Sequence, residues 1–370
     1  MAEKYLLLNG NKFYYDEIAA YSFRNSIPLN GYETKTLEFC NQWLNGVQEF
    51  PMHTSGSTGL PKPISLTRSQ LEASARRTIK LLQLKAGNCA FICLNTDFIA
   101  GMMMLVRGFM ADLQMTIVAP ISNPLTLVSR EERIDFASFV PLQLHTILHD
   151  TPEALPQLNR MKGILVGGAP VNPAQQRELQ RVEAPIYLTY GMTETASHIA
   201  VRRINGPKAT DYYEVLDNIK IGIDKRGCLT IQGDITNQEL LFTNDIVELL
   251  TPTHFRWIGR ADNTINTGGV KVQVEKVEVA VAEALSENEQ PPRFFVAAQP
   301  DEVLGEKIVL IMEGKQHTEA AEEALFAKLQ HALKKFELPK QIFYSASFSE
   351  TATGKLSRPN TLRKLGLQAD

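Results

Sequence analysis

Thr54-Ser-Gly-Ser-Thr-Gly-Leu-Pro-Lys62 gathers four hydroxyls, two glycines and a lysine into nine residues. Glycine lets the chain take positive φ and come close to a ligand, so successive backbone N–H groups can point into one concavity. Hydroxyls and a lysine ammonium then complete a cradle for phosphate oxygens. It is not a Walker A loop, because Pro61-Lys62-Pro63 stands where Gly-Lys-Ser/Thr is required. Thr67, with Gln70 three residues on, predicts a capping box that opens a helix directly afterwards. The plain alternative for the segment is a Ser/Gly surface loop.

Tyr190-Gly-Met-Thr-Glu-Thr-Ala-Ser197 follows the apolar run Ile186–Thr189, and Gly167-Gly-Ala-Pro170 follows Gly163–Val166. Strand ends in an α/β sheet are where ligands bind. The Tyr190 ring can stack on a base, Thr193 and Glu194 offer hard oxygens suited to Mg²⁺, and small residues let a flat group approach the backbone. In Thr243-Asn-Asp245 and Trp257-Ile-Gly-Arg260-Ala-Asp262 a carboxylate and a guanidinium could share the two hydroxyls of a ribose. Thr351-Ala-Thr-Gly-Lys355-Leu-Ser-Arg358 adds a lysine in a polar turn. Taken singly, these segments also read as an acidic loop, a simple turn, a surface ion pair and an exposed turn. His145 and His149 can share a helix face, but no third metal ligand is evident. No G-x-S-x-G supplies a hydrolase nucleophile.

The elements that must hold these residues are legible in the periodicity. Cys89–Leu94, Met115–Ala119, Gly163–Val166 and Pro185–Thr189 are short apolar runs separated by helix-length segments, which predicts crossover units in a layered α/β core. Around Asn218–Gly233 the pattern becomes hairpin-like: Ile219–Ile223, a turn at Asp224–Gly227, then Cys228–Gln232. We expect a β-rich appendage there. After Arg260 come an alternating strand at Val270, Val272 and Val274, a helix over Glu275–Leu285, and strands at Phe294–Ala298 and Lys307–Met312. An amphipathic helix over Glu319–Phe336, with Leu325, Leu329, Leu333 and Phe336 on one stripe, and a strand over Gln341–Phe348 complete the pattern. The fold class expected is therefore α/β: a large layered N-terminal unit over 1–260 with its β-rich appendage, and a small α+β unit over 261–370.

Length and charge narrow the classes. At about 150 residues per domain, 370 residues imply two or three. The net charge is −3, and no basic run suits nucleic acid or an anionic membrane surface. With 44% apolar residues the chain can bury a sizeable core. Cys40, Cys89, Cys93 and Cys228 form no C-x-x-C pair, as expected of free thiols in a reducing compartment. The N-terminal apolar run is three leucines, too short for a signal peptide. These features predict a cytoplasmic protein with neither nucleic acid nor membrane as partner.

The six segments, in this order, resemble the signature series of the adenylate-forming superfamily: acyl-CoA synthetases, peptide-synthetase adenylation domains and luciferases. Tyr190-Gly-Met-Thr-Glu-Thr-Ala-Ser-His-Ile is most similar to the o-succinylbenzoate–CoA ligases of menaquinone biosynthesis. The resemblance implies a two-step ligase that uses ATP, Mg²⁺ and coenzyme A on a small carboxylic acid. Thr54, Ser55, Gly56, Ser57, Thr58, Gly59 and Lys62 would hold the β- and γ-phosphates. Gly168, Ala169 and Pro170 would lie along the adenine, with Tyr190, Gly191 and Met192 beside it. Thr193 would touch the α-phosphate, Glu194 would bind the metal, and Asp245 and Arg260 would grip the ribose. Asp262 would be the hinge between the two units, and Lys355 would bridge carboxylate and α-phosphate. Gly268, Gly269 and Lys271 would line the channel for the pantetheine arm.

There are departures from the family pattern. Pro63 and Asn244 stand where glycine is usual, and Phe98 in Asn95-Thr-Asp-Phe98-Ile-Ala-Gly101 stands where histidine is common. The acid is expected to meet Phe98, Gly101 and Ser197, and a second carboxylate to meet His198 or Arg107. Members of the superfamily are typically longer, with the cradle far into the chain, so the resemblance implies shortening on the N-terminal side. The alternatives are a ligase for another aryl or short acyl acid, one loading a carrier protein, and a catalytically silent nucleotide-binding relative.

Overall fold

Six adjacent parallel strands form one half of a 13-stranded sheet. In spatial order they are Tyr5–Leu8, Gln114–Ile117, Cys89–Ile92, Phe136–Phe139, Gly163–Val166 and Ile186–Met192, with Asn11–Tyr14 antiparallel on the edge. The computed structural model describes residues 3–22, 28–53, 63–288, 291–350 and 356–367. The expected cradle Thr54–Lys62 and Lys355 lie outside the described residues. The inner parallel strands are buried on both faces, as crossover helices require: Phe136–Phe139 and Gly163–Val166 have no exposed residue.

The chain runs from Cys89–Ile92 through the helix Ile99–Met110 to Gln114–Ile117 on one side, then crosses to Phe136–Phe139 on the other. Strand order therefore reverses at Cys89–Ile92, and a crevice is expected outside the carboxyl ends there. Thr67 does cap the helix Arg68–Leu81: its side chain accepts from the Gln70 backbone while Gln70 Oε1 accepts from Thr67 N at 2.8 Å. The strand before it, Pro63–Thr67, pairs antiparallel with Glu49–His53, so the nine-residue cradle segment connects the paired residues His53 and Pro63.

The β-rich region expected near 218–233 is present and is hydrogen-bonded into the same sheet rather than packed beside it. Beyond Ile186–Met192 come Ser197–Arg203, Tyr213–Val215, His254–Arg260, Leu241–Thr251, Cys228–Gly233 and Ile219–Ile223, all antiparallel. Register shifts interrupt three of these pairings.

After Arg260 a short 3₁₀ turn, Ala261–Asn263, leads into a separate five-stranded sheet of Thr264–Thr267, Val270–Gln273, Phe294–Asp301, Gly305–Glu313 and Gln341–Ser345. The helices Val274–Leu285 and Glu319–Ala332 pack Val277, Val281, Leu325 and Leu329 against Val272, Val296 and Leu310 of the strands. Val274 opens the first of these helices instead of closing a strand. The second stops short of the expected Phe336 because Leu333 turns extended while staying buried. Glu337 then accepts from the Lys334 backbone at 2.9 Å, and Phe336 sits under the Gly268 turn.

Candidate active site

Loops at the carboxyl ends of the parallel strands open into one cavity of about 2150 Å³. Cys93–Asn95 follow Cys89–Ile92, Pro120–Ser122 follow Gln114–Ile117, Val140 follows Phe136–Phe139 and Gly167–Val171 follow Gly163–Val166, while Leu188–Glu194 comprise the end of Ile186–Met192 and the turn after it. Glycines make these close approaches possible. A Cβ on Gly167 would lie 2.4 Å from Thr189 Oγ1, and Gly168 has φ +84°. A Cβ on Gly191 would lie 2.2 Å from Ser197 O. The turn that follows, Thr193–Thr195, is closed by Ala196 at φ 49° and Ser197 at φ 90°, left-handed backbone that side chains seldom adopt.

Asp245 organises one end. Tyr190 Oη donates to its Oδ2 at 2.7 Å, Trp257 Nε1 donates to its Oδ1 at 3.1 Å, and Arg260 Nη1 lies 3.6 Å from Oδ1. Burial, followed by the Asp245 charge, pushes the Tyr190 phenol well above its ordinary value, so it stays a donor. The Tyr190 ring is held edge-on by Phe255 and Tyr213, with centroids at 5.1 and 5.8 Å. Arg260, expected to share a ribose with Asp245, spends its fork on Asp262 at 2.8 and 2.6 Å. Burial works to raise the Asp262 carboxyl, but those hydrogen bonds and the guanidinium charge outweigh it and hold it below the usual range. The expected ribose residue and the expected hinge residue are thus bound to each other.

Of the other expected residues, Ala169, Pro170, Gly191, Met192, Thr193, Glu194, Ser197, His198, Phe98, Arg107 and Lys271 line the cavity. Among the described residues no hydrogen bond or ion pair engages Glu194, which leaves its carboxylate open to a divalent cation. Gly101 does not line it: a Cβ there would lie 2.3 Å from Asn95 O, so this glycine seats the helix Ile99–Met110 against the preceding loop. Gly268 and Gly269 do not line it either. With φ +58° and +79° they form the two-residue turn between Thr267 and Val270, the geometry of a type I′ hairpin. The second unit instead presents Lys271, Gln273, Glu275, Lys276, Val279 and Glu337 to the cavity. A Cβ on Gly259 would meet Glu275 Oε2 at 2.5 Å, so its absence permits that approach.

Sequence reasoning missed Trp257 as an Asp245 donor, although the residue lies in a segment it singled out. It also missed Cys93 and Ser138, buried lining residues with no local signature. His198 is buried, with Nε2 3.1 Å from Thr78 Oγ1 and Nδ1 3.4 Å from Ser197 Oγ. Burial, then the nearby Arg107 and Arg77 charges, push its imidazole well below 6.5, so it is neutral and not a cation for a carboxylate. Glu178, which the sequence did not bring to the His145/His149 pair, lies 3.0 and 2.9 Å from the two rings and pairs with both.

The AMP-binding enzyme family matches residues 50–219. A solved acyl-CoA synthetase (AMP-forming)/AMP-acid ligase II-like protein from Dyadobacter fermentans is 42% identical, with 91% of this chain and 95% of that one covered and a TM-score of 0.60. A 2-succinylbenzoate–CoA ligase of Enterococcus faecalis is 24% identical over 83% of this chain and 67% of its own length. The O-succinylbenzoate coenzyme A synthetase of Bacillus subtilis, solved with ATP and magnesium ion, is 20% identical, covers 84% and 69% of the two chains and has a TM-score of 0.67. The chain spans about two thirds of the length of the last two. With residues of the expected signature segments meeting in one cavity and 42% identity, over nearly its full length, to an acyl-CoA synthetase (AMP-forming)/AMP-acid ligase II-like protein, the chain belongs to the AMP-binding family of acyl-CoA synthetases and acid ligases.

Proposed function

We propose that this chain is an ATP-dependent acid–CoA ligase whose acid is 2-succinylbenzoate, acting in menaquinone biosynthesis. The observation that carries the reading is a single cavity lined by Gly168, Tyr190, Glu194, Asp245 and Arg260, which lie far apart in sequence. In the first step a carboxylate oxygen bonds to the α-phosphorus of ATP while the bridging P–O bond breaks, and pyrophosphate leaves with the electron pair. Two anions must be brought together, so positioning and positive charge supply the rate. Gly168–Pro170 and Tyr190 take the adenine, and Asp245 accepts from the ribose. Thr193 donates to the α-phosphate, and the 54–62 segment with Lys62 holds the outer phosphates. Glu194 would hold Mg²⁺, which would supply positive charge against the phosphates. Lys355 bridges the acid and the α-phosphate.

In the second step the sulfur of coenzyme A bonds to the acyl carbon, the C–O bond to AMP breaks, and the thiol proton passes to solvent. This attack needs a different face of the site. We assign it to a rotation of the 261–370 unit about Asp262, which would carry Gly268, Gly269 and Lys271 towards the pantetheine arm. A pyrophosphate-release screen over carboxylic acids tests the reading, with the strongest response expected for 2-succinylbenzoate. A strong response to another acid alone would overturn the substrate and keep the enzyme class. Lys355→Ala should abolish pyrophosphate release while sparing thioester formation from supplied acyl-adenylate; undiminished release would remove the role given to Lys355.

A further inference from the structure

Away from the cavity, two imidazoles and a carboxylate meet where the helices Pro141–Asp150 and Pro173–Glu178 pack together. His145 and His149 lie one turn apart on the first helix, with ring centroids at 4.3 Å, and Glu178 ends the second. His145 Nδ1 stands 3.0 Å from Glu178 Oε2, and His149 Nε2 stands 2.9 Å from Oε1. One such atom from each residue can be chosen so that all three lie within 4.8 Å of one another. None of the three residues lines the cavity. The rings are open to solvent, with side chains 44% and 58% exposed, whereas that of Glu178 is 14% exposed. Its Oε1 is buried, and among the described residues no hydrogen bond reaches it although a ring nitrogen is 2.9 Å away. At that distance only direction can forbid the bond, so the in-plane axis of Nε2 points past the oxygen.

A carboxylate oxygen buried without a donor is costly, and a cation beside it removes that cost. Three ligand atoms held about 2.0–2.2 Å from a tetrahedral ion stand roughly 3.3 Å from one another. Two of the separations here are 3.0 and 2.9 Å, within a few tenths of that spacing. Histidines four apart on one helix face are a pair that zinc sites use. Two imidazoles and one carboxylate suit a borderline ion such as Zn²⁺, whereas Mg²⁺ and Ca²⁺ prefer oxygen alone. We propose that His145, His149 and Glu178 hold a transition-metal ion of the Zn²⁺ class, with water completing its coordination on the solvent side. The site is separate from the one given to Mg²⁺ at Glu194, and it does not rest on the ligase reading. Its role is structural. The first helix begins directly after Val140 and the second shortly after Gly167–Val171, both on the cavity wall. An ion shared by the two helices fixes the spacing of those loops from outside. Both helices are anchored at their starts: Gln143 Nε2 donates to Cys93 O and Ile121 O at 3.1 and 3.0 Å, and Asn172 Oδ1 accepts from Gln175 N at 2.8 Å. The ligands are thus presented by fixed backbone, and only side chains need to adjust.

In the test the full chain is stripped of transition metal with a chelator, kept in excess Mg²⁺ and titrated with Zn²⁺ against a chromophoric competitor. Thermal melting and amide hydrogen exchange are followed with and without Zn²⁺, in the wild type, His149→Gln, Glu178→Gln and Glu194→Gln. Wild type should take up one tightly held Zn²⁺ per chain, melt higher with it, and exchange more slowly over 141–150 and 173–181. His149→Gln and Glu178→Gln should each bind at least about 100-fold more weakly, because a group that only supports a metal ligand is already worth about 10–100-fold. Both should lose the rise in melting temperature on adding Zn²⁺, and Glu194→Gln should keep it. Without metal the two variants should melt close to the wild type, so that what they lose is binding. Should either fail to fold, His145→Gln serves in the same comparison. No uptake by the wild type would overturn the proposal, and so would uptake that the His149 and Glu178 variants leave unchanged. If the wild type takes up no Zn²⁺ and the metal-free variants melt lower, the cluster is an ion pair alone and the proposal falls. Displacement of bound Zn²⁺ by excess Mg²⁺ would overturn the class of ion assigned.

Discussion

Asp245 and Arg107 are both buried charges on the wall of one cavity, and the protein treats them in opposite ways. Asp245 has donors on both oxygens and lies on a strand paired on either side. Arg107 has a thioether on one nitrogen and nothing among the described residues on the other two. A satisfied polar group is rigid and ready, whereas an unsatisfied one stores a cost that a ligand can relieve. In the proposed reading the nucleotide end is preorganised by the protein itself, and the acid end is completed by what binds there. Such a division suits a reaction whose nucleotide is constant and whose acid must be discriminated.

The contrast can be broken at the Asp245 end first, where the largest effect is expected. Asp245→Ala strands the donors of Tyr190 and Trp257 and removes the charge facing Arg260, so kcat/KM for ATP should fall roughly a hundredfold. The ratio between two acids should not move; a changed acid preference would show that the two ends are not separable. Gly191→Ala, placed between them, should cost about 1–3 kcal/mol of stability in denaturant unfolding, because the new Cβ would lie 2.2 Å from Ser197 O and 2.5 Å from His198 Cα. An unshifted midpoint would mean that the two strands can separate at no cost.

His198 gives the smallest effect and a sign. Its folded-state affinity for a proton is depressed below the ordinary 6.5, so the unfolded chain binds more protons in acid and folding stability drops as pH falls below about 6.5. His198→Gln, which keeps a partner for Thr78, should flatten that drop by at most about 1.4 kcal/mol per pH unit. Parallel stability curves for the two proteins between pH 7.5 and 5 would refute it.

The sequence already carried four of the six parallel strands and the Thr67 cap, because apolar runs and capping residues act locally, whereas Tyr5–Leu8 and Phe136–Phe139 are not singled out. What it hid depends on partners distant in the chain. Tyr190 and Asp245 are 55 residues apart, and nothing in either segment shows that a phenol will hold the carboxylate. Arg260 reads as a ribose ligand until Asp262, two residues on, proves to hold its fork. Gly268 and Gly269 read as a channel lining, whereas in this conformation their positive φ serves a hairpin. Arg107 reads as a candidate for a second carboxylate with a helix-surface arginine as the plain alternative, and only the packed structure shows that it is enclosed, with no partner for Nε or Nη2 among the described residues.

The hydrogen bond between Tyr190 and Asp245 also measures curvature. Their strands are four steps apart in the sheet, which laid flat would separate them by about 19 Å. Two side chains span far less than that, so contact at 2.7 Å means that the antiparallel half rolls back towards the parallel half. Bulges sharpen bending and twist, and the irregular registers at His198–Ala200 and Ile246–Val247 fall in this stretch. This end of the cavity is thus enclosed by the rolling of one continuous sheet, and the phenol–carboxylate bond joins its two halves.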